Sequence, residues 1–215
     1  FLRAGLWPRL ARDDRHFLPL PVIRPARAVI SDPTGLIASL DAALRQRGQS
    51  VTRAEMRNQL QAPDGFERLL SDLQKLAGST VNNDALPPTI VIPIDQAEEL
   101  FAAEGRQETD TFLALLGQMM APVTTTEEEG SAARRRAIAV FAIRSDSYER
   151  LQTEPRLQHV KPFLFDLRPL ATAEYKAVIE GPAARATAAG RKLVIELVLT
   201  EKLLTDSEGA DALPL

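Results

Sequence analysis

The stretch IVIPID, residues 90–95, decides the fold class of this chain. An apolar run of this length, which follows Pro87-Pro88 and ends in an acidic residue, is typical of a strand buried on both faces in a parallel sheet. Pro93 has no N–H to give to the sheet ladder. We therefore expect a bulge at this point, or a side of the strand that faces no neighbour.

Three other stretches predict strands elsewhere along the chain. Residues 137–143 (AIAVFAI) form a second apolar run, which ends at Arg144. Residues 16–26 (HFLPLPVIRPA) alternate apolar and polar residues between prolines, and residues 160–167 give a further short strand. Because helical patterns separate these strands, we expect them to pair in parallel.

Helical spacing of apolar residues fills the intervals between the strands. We predict one helix that begins at Thr34 and others near residues 52–60, 65–77, 97–121 and 147–153. In the last of these, Asp146 and Glu149 resemble an N-cap and its partner three residues later. The clearest apolar stripes are Leu36, Ile37, Leu40, Ala43 and Leu44 in the first helix, and Phe66, Leu69, Leu70, Leu73 and Leu76 in the third. The sequence therefore predicts an α/β fold, a parallel sheet with helices on both faces.

The pattern becomes helical after about residue 170. Thr172 opens a predicted helix whose inward residues are Tyr175, Val178 and Ile179 and which Gly181-Pro182 interrupts, and residues 192–204 again have helical intervals. We therefore expect two domains, an α/β core over residues 1–170 and the start of a helical domain over residues 171–215.

Composition excludes several classes of function. The chain has 45% hydrophobic and 26% charged residues, as in ordinary globular proteins, and a net charge of −3 gives no general attraction to nucleic acid or anionic lipid. It contains no cysteine and two histidines far apart in sequence, so thiolate catalysis and cysteine-bound zinc are excluded. No apolar run approaches the roughly 20 residues that span a bilayer. We expect a cytoplasmic protein with no membrane contact, for which nucleic acid is an unlikely partner.

Acidic side chains follow the strand at residues 90–94. In parallel α/β folds, ligands bind beyond the carboxyl ends of the strands, which makes Asp95 a candidate together with Glu98 and Glu99 on the next turn. Three carboxylates would suit Mg²⁺, which prefers hard oxygen ligands. The alternative is that acidic residues stabilise the start of a helix through its dipole.

Arg144 occupies the corresponding position after the strand at residues 137–143. Its planar guanidinium could stabilise charge on a terminal phosphate. The alternative is a solvated arginine near the start of a helix, and the spacing alone favours that alternative.

Six segments, in this order and spacing, resemble the STAND NTPases. The resemblance is to the novel STAND group of bacterial multidomain regulators, which are P-loop NTPases related to the AAA+ and NACHT ATPases, and it covers nearly the whole chain. The segments are FLRAGLWPRL, IVIPIDQAEELF, AIRSDSYERL, FDLRPL, EYKAVIEGPA and ALPL.

This resemblance implies a P-loop NTPase-like sheet followed by the start of a helical lid. Asp95 matches the Walker B aspartate that holds Mg²⁺. Glu98 and Glu99 match the acidic pair that supplies the water-orienting carboxylate, and Glu98 is the preferred catalytic residue. Arg144 matches a sensor residue that contacts the nucleotide, and Pro214 resembles a lid proline beside its base, although Ala212 replaces the usual glycine.

The family's phosphate-binding Walker A loop, G-x-x-x-x-G-K-[ST], has no counterpart in these 215 residues. The resemblance places that loop and its strand directly before Phe1, with the strand beside the one that ends at Arg144. We therefore expect the chain alone to bind ATP negligibly, because the phosphates lack the loop's amides and lysine. We also expect it to be marginally stable or prone to aggregate, because loss of a central strand leaves unpaired edges.

The function implied by the resemblance is that of a signalling ATPase. ATP and Mg²⁺ would bind between core and lid, and exchange or hydrolysis would change how neighbouring modules pack. The implied partners are sensor repeats and an effector domain of the same polypeptide, with a homo-oligomer on activation. One alternative is a non-hydrolysing scaffold of the same fold that mediates assembly. Another is an unrelated α/β enzyme with a carboxylate site.

Overall fold

The computed structural model describes residues 1–78, 87–102, 105–121, 136–167 and 172–207 of the chain. Its contacts divide the chain into two compact units, Phe1–Lys161 and Pro162–Leu215. Whether residue 170 separates an NTPase core from a lid stays a prediction.

A parallel three-stranded sheet forms the centre of the first unit. Its strands are β1 (Phe17–Pro19), β2 (Thr89–Ile94) and β3 (Ala137–Phe141), and their order in the sheet is β1, β2, β3. β2 lies in the middle and pairs in parallel with both neighbours. Its last five residues are buried, as the apolar run predicted. The predicted α/β fold class, a P-loop NTPase-like parallel sheet with flanking helices, is confirmed.

Pro93 produces an offset in the pairing between β2 and the segment that begins with β1 and continues to Ile23, which we call the first segment of the sheet. The N–H of Leu20 donates to the carbonyl of Val91 at 2.8 Å, and the next donor, Ile23, reaches the carbonyl of Pro93 at 2.9 Å. Between these two hydrogen bonds β2 advances by two residues, from Val91 to Pro93, whereas the first segment advances by three, from Leu20 to Ile23. The expected bulge is present, but the extra residue lies in the neighbouring segment and not in β2 itself.

The carbonyl left without a ladder donor is that of Leu20, which has no solvent exposure. Continuing the register beyond the pair Pro19 and Val91 would pair this carbonyl with the backbone nitrogen of residue 93, which as a proline carries no hydrogen. The indole Nε1–H of Trp7 donates to the Leu20 carbonyl instead, at 2.9 Å. The indole therefore replaces the hydrogen bond that Pro93 removes from the sheet.

Among the residues that the structure describes, five helices pack around this sheet. They are α1 (Trp7–Arg12), which continues a turn at Leu2–Leu6, α2 (Leu36–Arg45), α3 (Arg53–Gln61), α4 (Gly65–Gly78) and α5 (Arg106–Met120). The whole predicted stripe of α2 is buried, and in α4 four of the five predicted residues are buried and Leu76 is half-buried. The helices predicted at 52–60 and 65–77 are confirmed.

The segment predicted as one helix over residues 97–121 is interrupted. A 3₁₀ turn covers Ala97–Phe101, and α5 begins only after Gly105, whose φ is +76°. A side chain at this glycine would place its Cβ 2.1 Å from the carbonyl oxygen of Arg27. The close approach of the Arg27 backbone and the positive φ thus require glycine at the position where α5 begins.

The predicted N-cap at Asp146 is wrong. A 3₁₀ turn at Ser145–Ser147 leads into the short helix α6 (Tyr148–Gln152), whose N-cap is Ser147 without a side-chain cap hydrogen bond. The carboxylate of Asp146 accepts hydrogen bonds from Arg144, at 2.9 Å, and from the hydroxyl of Ser147, at 3.0 Å. These nearer donors occupy the carboxylate that the sequence pattern assigned to the helix backbone.

In the described part of the second unit, the chain forms the helices α7 (Thr172–Ala188) and α8 (Leu197–Ser207). α7 continues through Gly181-Pro182, so the predicted interruption is wrong: a proline removes one donor without forcing the helix to end. Tyr175 and Ile179 are half-buried, whereas Val178, predicted inward, is 49% exposed. The helix predicted at residues 192–204 begins only at Leu197.

The strand predicted at residues 160–167 is not present. Residues 161–167 have no regular secondary structure, and Phe163 is 93% exposed. A strand needs a neighbour for its backbone groups, and in the part of the chain that the structure describes no strand pairs with this segment. Within the same described ranges, no helix has the length and apolar character needed to cross a membrane.

The Trp7 indole provides a test of this account of the sheet. Trp7→Phe keeps an aromatic ring but leaves the buried Leu20 carbonyl without a donor, so we expect the free energy of unfolding to fall by about 1–3 kcal/mol. Urea unfolding followed by far-ultraviolet circular dichroism measures this change. An unchanged unfolding midpoint would show that the indole hydrogen bond does not support the sheet.

Candidate functional site

The segments that follow the strands are joined by backbone hydrogen bonds at one edge of the sheet. The N–H of Asp95 donates to the carbonyl of Ile23, and the N–H of Ala142 donates to that of Ile94, at 2.9 and 2.8 Å. The N–H of Ala97 then returns to the carbonyl of Ala142 at 2.9 Å. All three segments are therefore fixed relative to one another beyond the strand ends, where ligands bind in parallel sheets.

Gln96 makes the sharp turn that this arrangement needs. Its φ of 54° and ψ of 48° lie in the left-handed region, which is uncommon for a residue other than glycine, asparagine or aspartate. This conformation turns the chain from β2 into the 3₁₀ turn, so that Ala97 reaches Ala142. Such backbone strain is concentrated at ligand-binding and catalytic sites of proteins.

Asp95 forms an ion pair with a residue from the first segment of the sheet. Its Oδ2 atom lies 3.2 Å from Nη2 and 3.4 Å from Nε of Arg24. The side chains are 24% and 42% exposed, respectively, so the pair lies in a partly buried position. Reasoning from the sequence identified Asp95 but missed Arg24. The signal was available, because Arg24 directly follows the apolar residue Ile23 at the end of the predicted strand 16–26.

Glu98 and Arg144 are in contact through the backbone of the arginine. The N–H of Arg144 points to Oε2 of Glu98 at a long 3.4 Å, so the carboxylate of the 3₁₀ turn reaches the segment after β3. The guanidinium of Arg144 instead pairs with Asp146 at 2.9 Å, and both side chains are more than 60% exposed. The structure thus brings Glu98 and Arg144 together and leaves the guanidinium at the surface.

The other two predicted site residues are Glu99 and Pro214. Glu99 is half-buried, and its side chain has no hydrogen bond or ion pair among the described residues. Pro214 lies outside the described residues.

The residues at the strand ends could hold Mg²⁺ through a single carboxylate, and not through a cluster of three. The described part of the chain contains no group of three or more acidic, histidine or cysteine side chains that could hold a metal, so Asp95, Glu98 and Glu99 do not form the expected three-carboxylate cluster. Mg²⁺ in nucleotide sites is usually bound by one or two carboxylates, with phosphates and water completing its shell. Asp95 fits the role of that single carboxylate, because it is partly exposed at the strand end.

Glu108 fixes the loop that carries Arg24, which runs from residue 24 to residue 35. Its Oε2 accepts the backbone N–H groups of Ile30 and Ser31 at 2.8 and 3.0 Å, and its Oε1 accepts the Ser31 hydroxyl at 2.6 Å. Within the loop, Asp32 accepts the N–H groups of Arg27 and Ala28. No sequence pattern pointed to Glu108, because its partners lie more than 70 residues away.

A separate groove with a volume of about 480 Å³ lies beside α5 and α6. Two of its lining residues pair with Arg156: Asp110 at 3.0 Å and Glu154 at 2.7 Å. The hydrogen bond to Glu154 raises the pKa of the Arg156 guanidinium. The groove contains none of the residues predicted from the strand ends. Its lining is Leu100, Phe101, Ala102, Arg106, Thr109, Asp110, Leu113, Arg150, Thr153, Glu154 and Pro155.

The chain matches a known protein family over its whole length. The model of the family described as Novel STAND NTPase 1 matches residues 1–215, which is the whole chain. No curated protein and no solved structure matches the chain.

Removal of the Glu108 carboxylate should release the loop that carries Arg24. Glu108→Ala leaves two backbone donors and one hydroxyl without their acceptor, and we expect it to cost about 2–4 kcal/mol of stability. Glu108→Gln keeps one oxygen acceptor and should cost less. Amide hydrogen exchange should be faster at Ile30 and Ser31 in the alanine variant.

Gln107→Ala, at the preceding exposed position of α5, is the matched control and should leave exchange in the loop unchanged. Equal protection of Ile30 and Ser31 in the Glu108→Ala variant and the natural protein would contradict this account of the loop.

Proposed function

Since the chain belongs to the Novel STAND NTPase 1 family, we propose that it is the ATP-binding regulatory module of a bacterial multidomain signalling protein. In this proposal ATP hydrolysis is a conformational switch, and it requires a phosphate-binding loop in the natural protein. One observation carries the proposal: hydrogen bonds between the strand ends bring Asp95, Glu98 and Arg144 to the same edge of the parallel sheet.

Asp95 would hold the metal in this site. When bound, Mg²⁺ neutralises charge on the β- and γ-phosphates of the nucleotide. Asp95 is suited to this role because its backbone N–H is tied to Ile23, which fixes the carboxylate at the end of β2. It supplies one ligand only, so most of the metal's shell would come from phosphate and water.

Glu98 would orient the water that attacks the terminal phosphate. Its carboxylate lies on the turn directly after Asp95 and faces the backbone N–H of Arg144. A group that positions or deprotonates the attacking water must lie within hydrogen-bond reach of it, and the turn places Glu98 at the same edge as the metal ligand. Glu99 is the alternative for this role, because its side chain lies on the same turn without a partner among the described residues.

Arg144 would contact the terminal phosphate. Its present partner, Asp146, is 62% exposed, and exposed ion pairs contribute little to stability. The guanidinium can therefore exchange this carboxylate for a phosphate oxygen at small cost. Phosphate would also be a better partner, because the planar guanidinium binds two of its oxygens at once.

The proposal extends to the partners and location implied by the family resemblance. Sensor repeats and an effector domain of the same polypeptide would respond to the nucleotide, the active form would assemble into a homo-oligomer, and the protein would work in the cytoplasm. Pro214 would contact the base of the nucleotide. The second candidate function is a non-hydrolysing scaffold of the same fold, which the lack of a three-carboxylate cluster among the described residues favours.

Substitution of Glu98 separates the two candidate functions. In the natural protein, Glu98→Gln should keep ATP affinity within about twofold and lower turnover by roughly 10²–10⁴-fold. Glu99→Gln is the comparison variant, since it removes an equal charge one residue away, and the assignment of the role to Glu98 predicts that it retains most of the activity. Equilibrium binding of a fluorescent ATP analogue and steady-state phosphate release provide the two measurements.

The pattern of loss decides between the candidate residues and functions. If Glu99→Gln loses turnover and Glu98→Gln does not, the water-orienting role belongs to Glu99. If the natural protein binds ATP and releases no phosphate, the hydrolytic switch is wrong and the scaffold function remains.

A further inference from the structure

We propose that Arg24 is the counter-ion of Asp95 in the metal-free protein and that a divalent cation must displace it. This inference rests on the proposed function, in which Asp95 holds the metal. The ion pair joins residues 71 positions apart in sequence, across two neighbouring segments of the sheet. It therefore belongs to the tertiary structure of the site and is not a local helix pair.

The contacts of the guanidinium leave part of the carboxylate open. Both Nη2 and Nε of Arg24 point to Oδ2 of Asp95, and among the described residues no side chain contacts Oδ1. A cation that approaches Oδ1 would lie close to the positively charged guanidinium. Since like charges at this separation repel, the guanidinium and the cation compete for one carboxylate.

The side chains of Arg24 and Asp95 can change partners, whereas their backbones are held in place by hydrogen bonds. The backbone N–H of Arg24 donates to the carbonyl of Thr34 at 2.9 Å, and the Thr34 hydroxyl donates to the carbonyl of Arg24 at 3.3 Å. The backbone of Asp95 is fixed by its hydrogen bond to Ile23. Because the Arg24 side chain is already 42% exposed, it can move into water without disturbing the strand ends.

The exchange would leave the loop of residues 24–35 in place. Arg24 begins the loop, and Glu108 holds its centre through Ile30 and Ser31. Displacement of the guanidinium would separate the Arg24 side chain from Asp95 while the anchor at Glu108 stays in place. Arg24 is thus a positioning residue that keeps the empty carboxylate neutralised and aligned.

Manganese affinity tests the inference without measuring activity. Mn²⁺ with ADP is titrated into the natural protein, and electron paramagnetic resonance measures the free ion. Arg24→Gln should bind Mn²⁺ about three- to fivefold more tightly, since partly exposed ion pairs contribute at most about that factor. Arg24→Lys, which keeps the charge, should return the affinity towards that of the natural protein.

Arg45→Gln is the matched control. It removes the same charge from another arginine–carboxylate pair, in which Arg45 lies 2.7 Å from Asp41 within α2. Its Mn²⁺ affinity should not change. Arg24→Gln affinity that is equal to or weaker than that of the natural protein, or an equal gain in Arg45→Gln, would overturn the inference.

Asp95→Asn separates this inference from the proposed function. Loss of Mn²⁺ binding in this variant supports Asp95 as the metal ligand, so that an unchanged Arg24→Gln would then refute the counter-ion role alone. Full Mn²⁺ affinity in Asp95→Asn would show that the metal binds elsewhere, and the metal assignment of the proposed function would fail with it.

Discussion

The site depends on backbone hydrogen bonds that join the three strand ends beyond the sheet. Ile23, Ile94 and Ala142 each accept one N–H from a neighbouring segment, and the last of these bonds is possible only because Gln96 adopts a left-handed conformation. Backbone groups of this kind are strong and obligatory hydrogen-bonding partners. They fix the positions from which Arg24, Asp95, Glu98 and Arg144 project, whatever the side chains do.

The central strand accommodates a proline because the hydrogen bond that the proline removes is replaced at a single position. The missing donor of Pro93 is compensated by the Trp7 indole, and the offset of one residue ends at Ile23, where regular pairing resumes with the bridge to Ile94. The same offset determines which residue lies beside Asp95 at the edge of the sheet. In this way a local defect in the ladder sets the position of Arg24 opposite Asp95.

The sequence predicted those features that depend on local periodicity. The stripes of α2 and α4, the buried run of β2 and the positions of Asp95 and Arg144 after their strands follow from apolar spacing alone. Contacts between distant segments have no such signal, so the role of Glu108 was missed. Arg24 was missed although it follows the apolar Ile23 in the way that Asp95 follows Ile94. The strand at residues 160–167 failed for a related reason: an apolar alternation describes a strand only when a partner strand is present. Asp146 failed as a cap because Arg144 and Ser147 are nearer donors.

The central claim is that Asp95 holds the metal of a nucleotide site at this edge of the sheet. The most direct test is to locate Mn²⁺ by anomalous diffraction in crystals of the natural protein with ADP. The account predicts an Mn²⁺ ion about 2.0–2.2 Å from the Asp95 carboxylate, as metal–oxygen distances require, with Arg24 turned away. An ion bound elsewhere, with Asp95 still paired to Arg24, would contradict it.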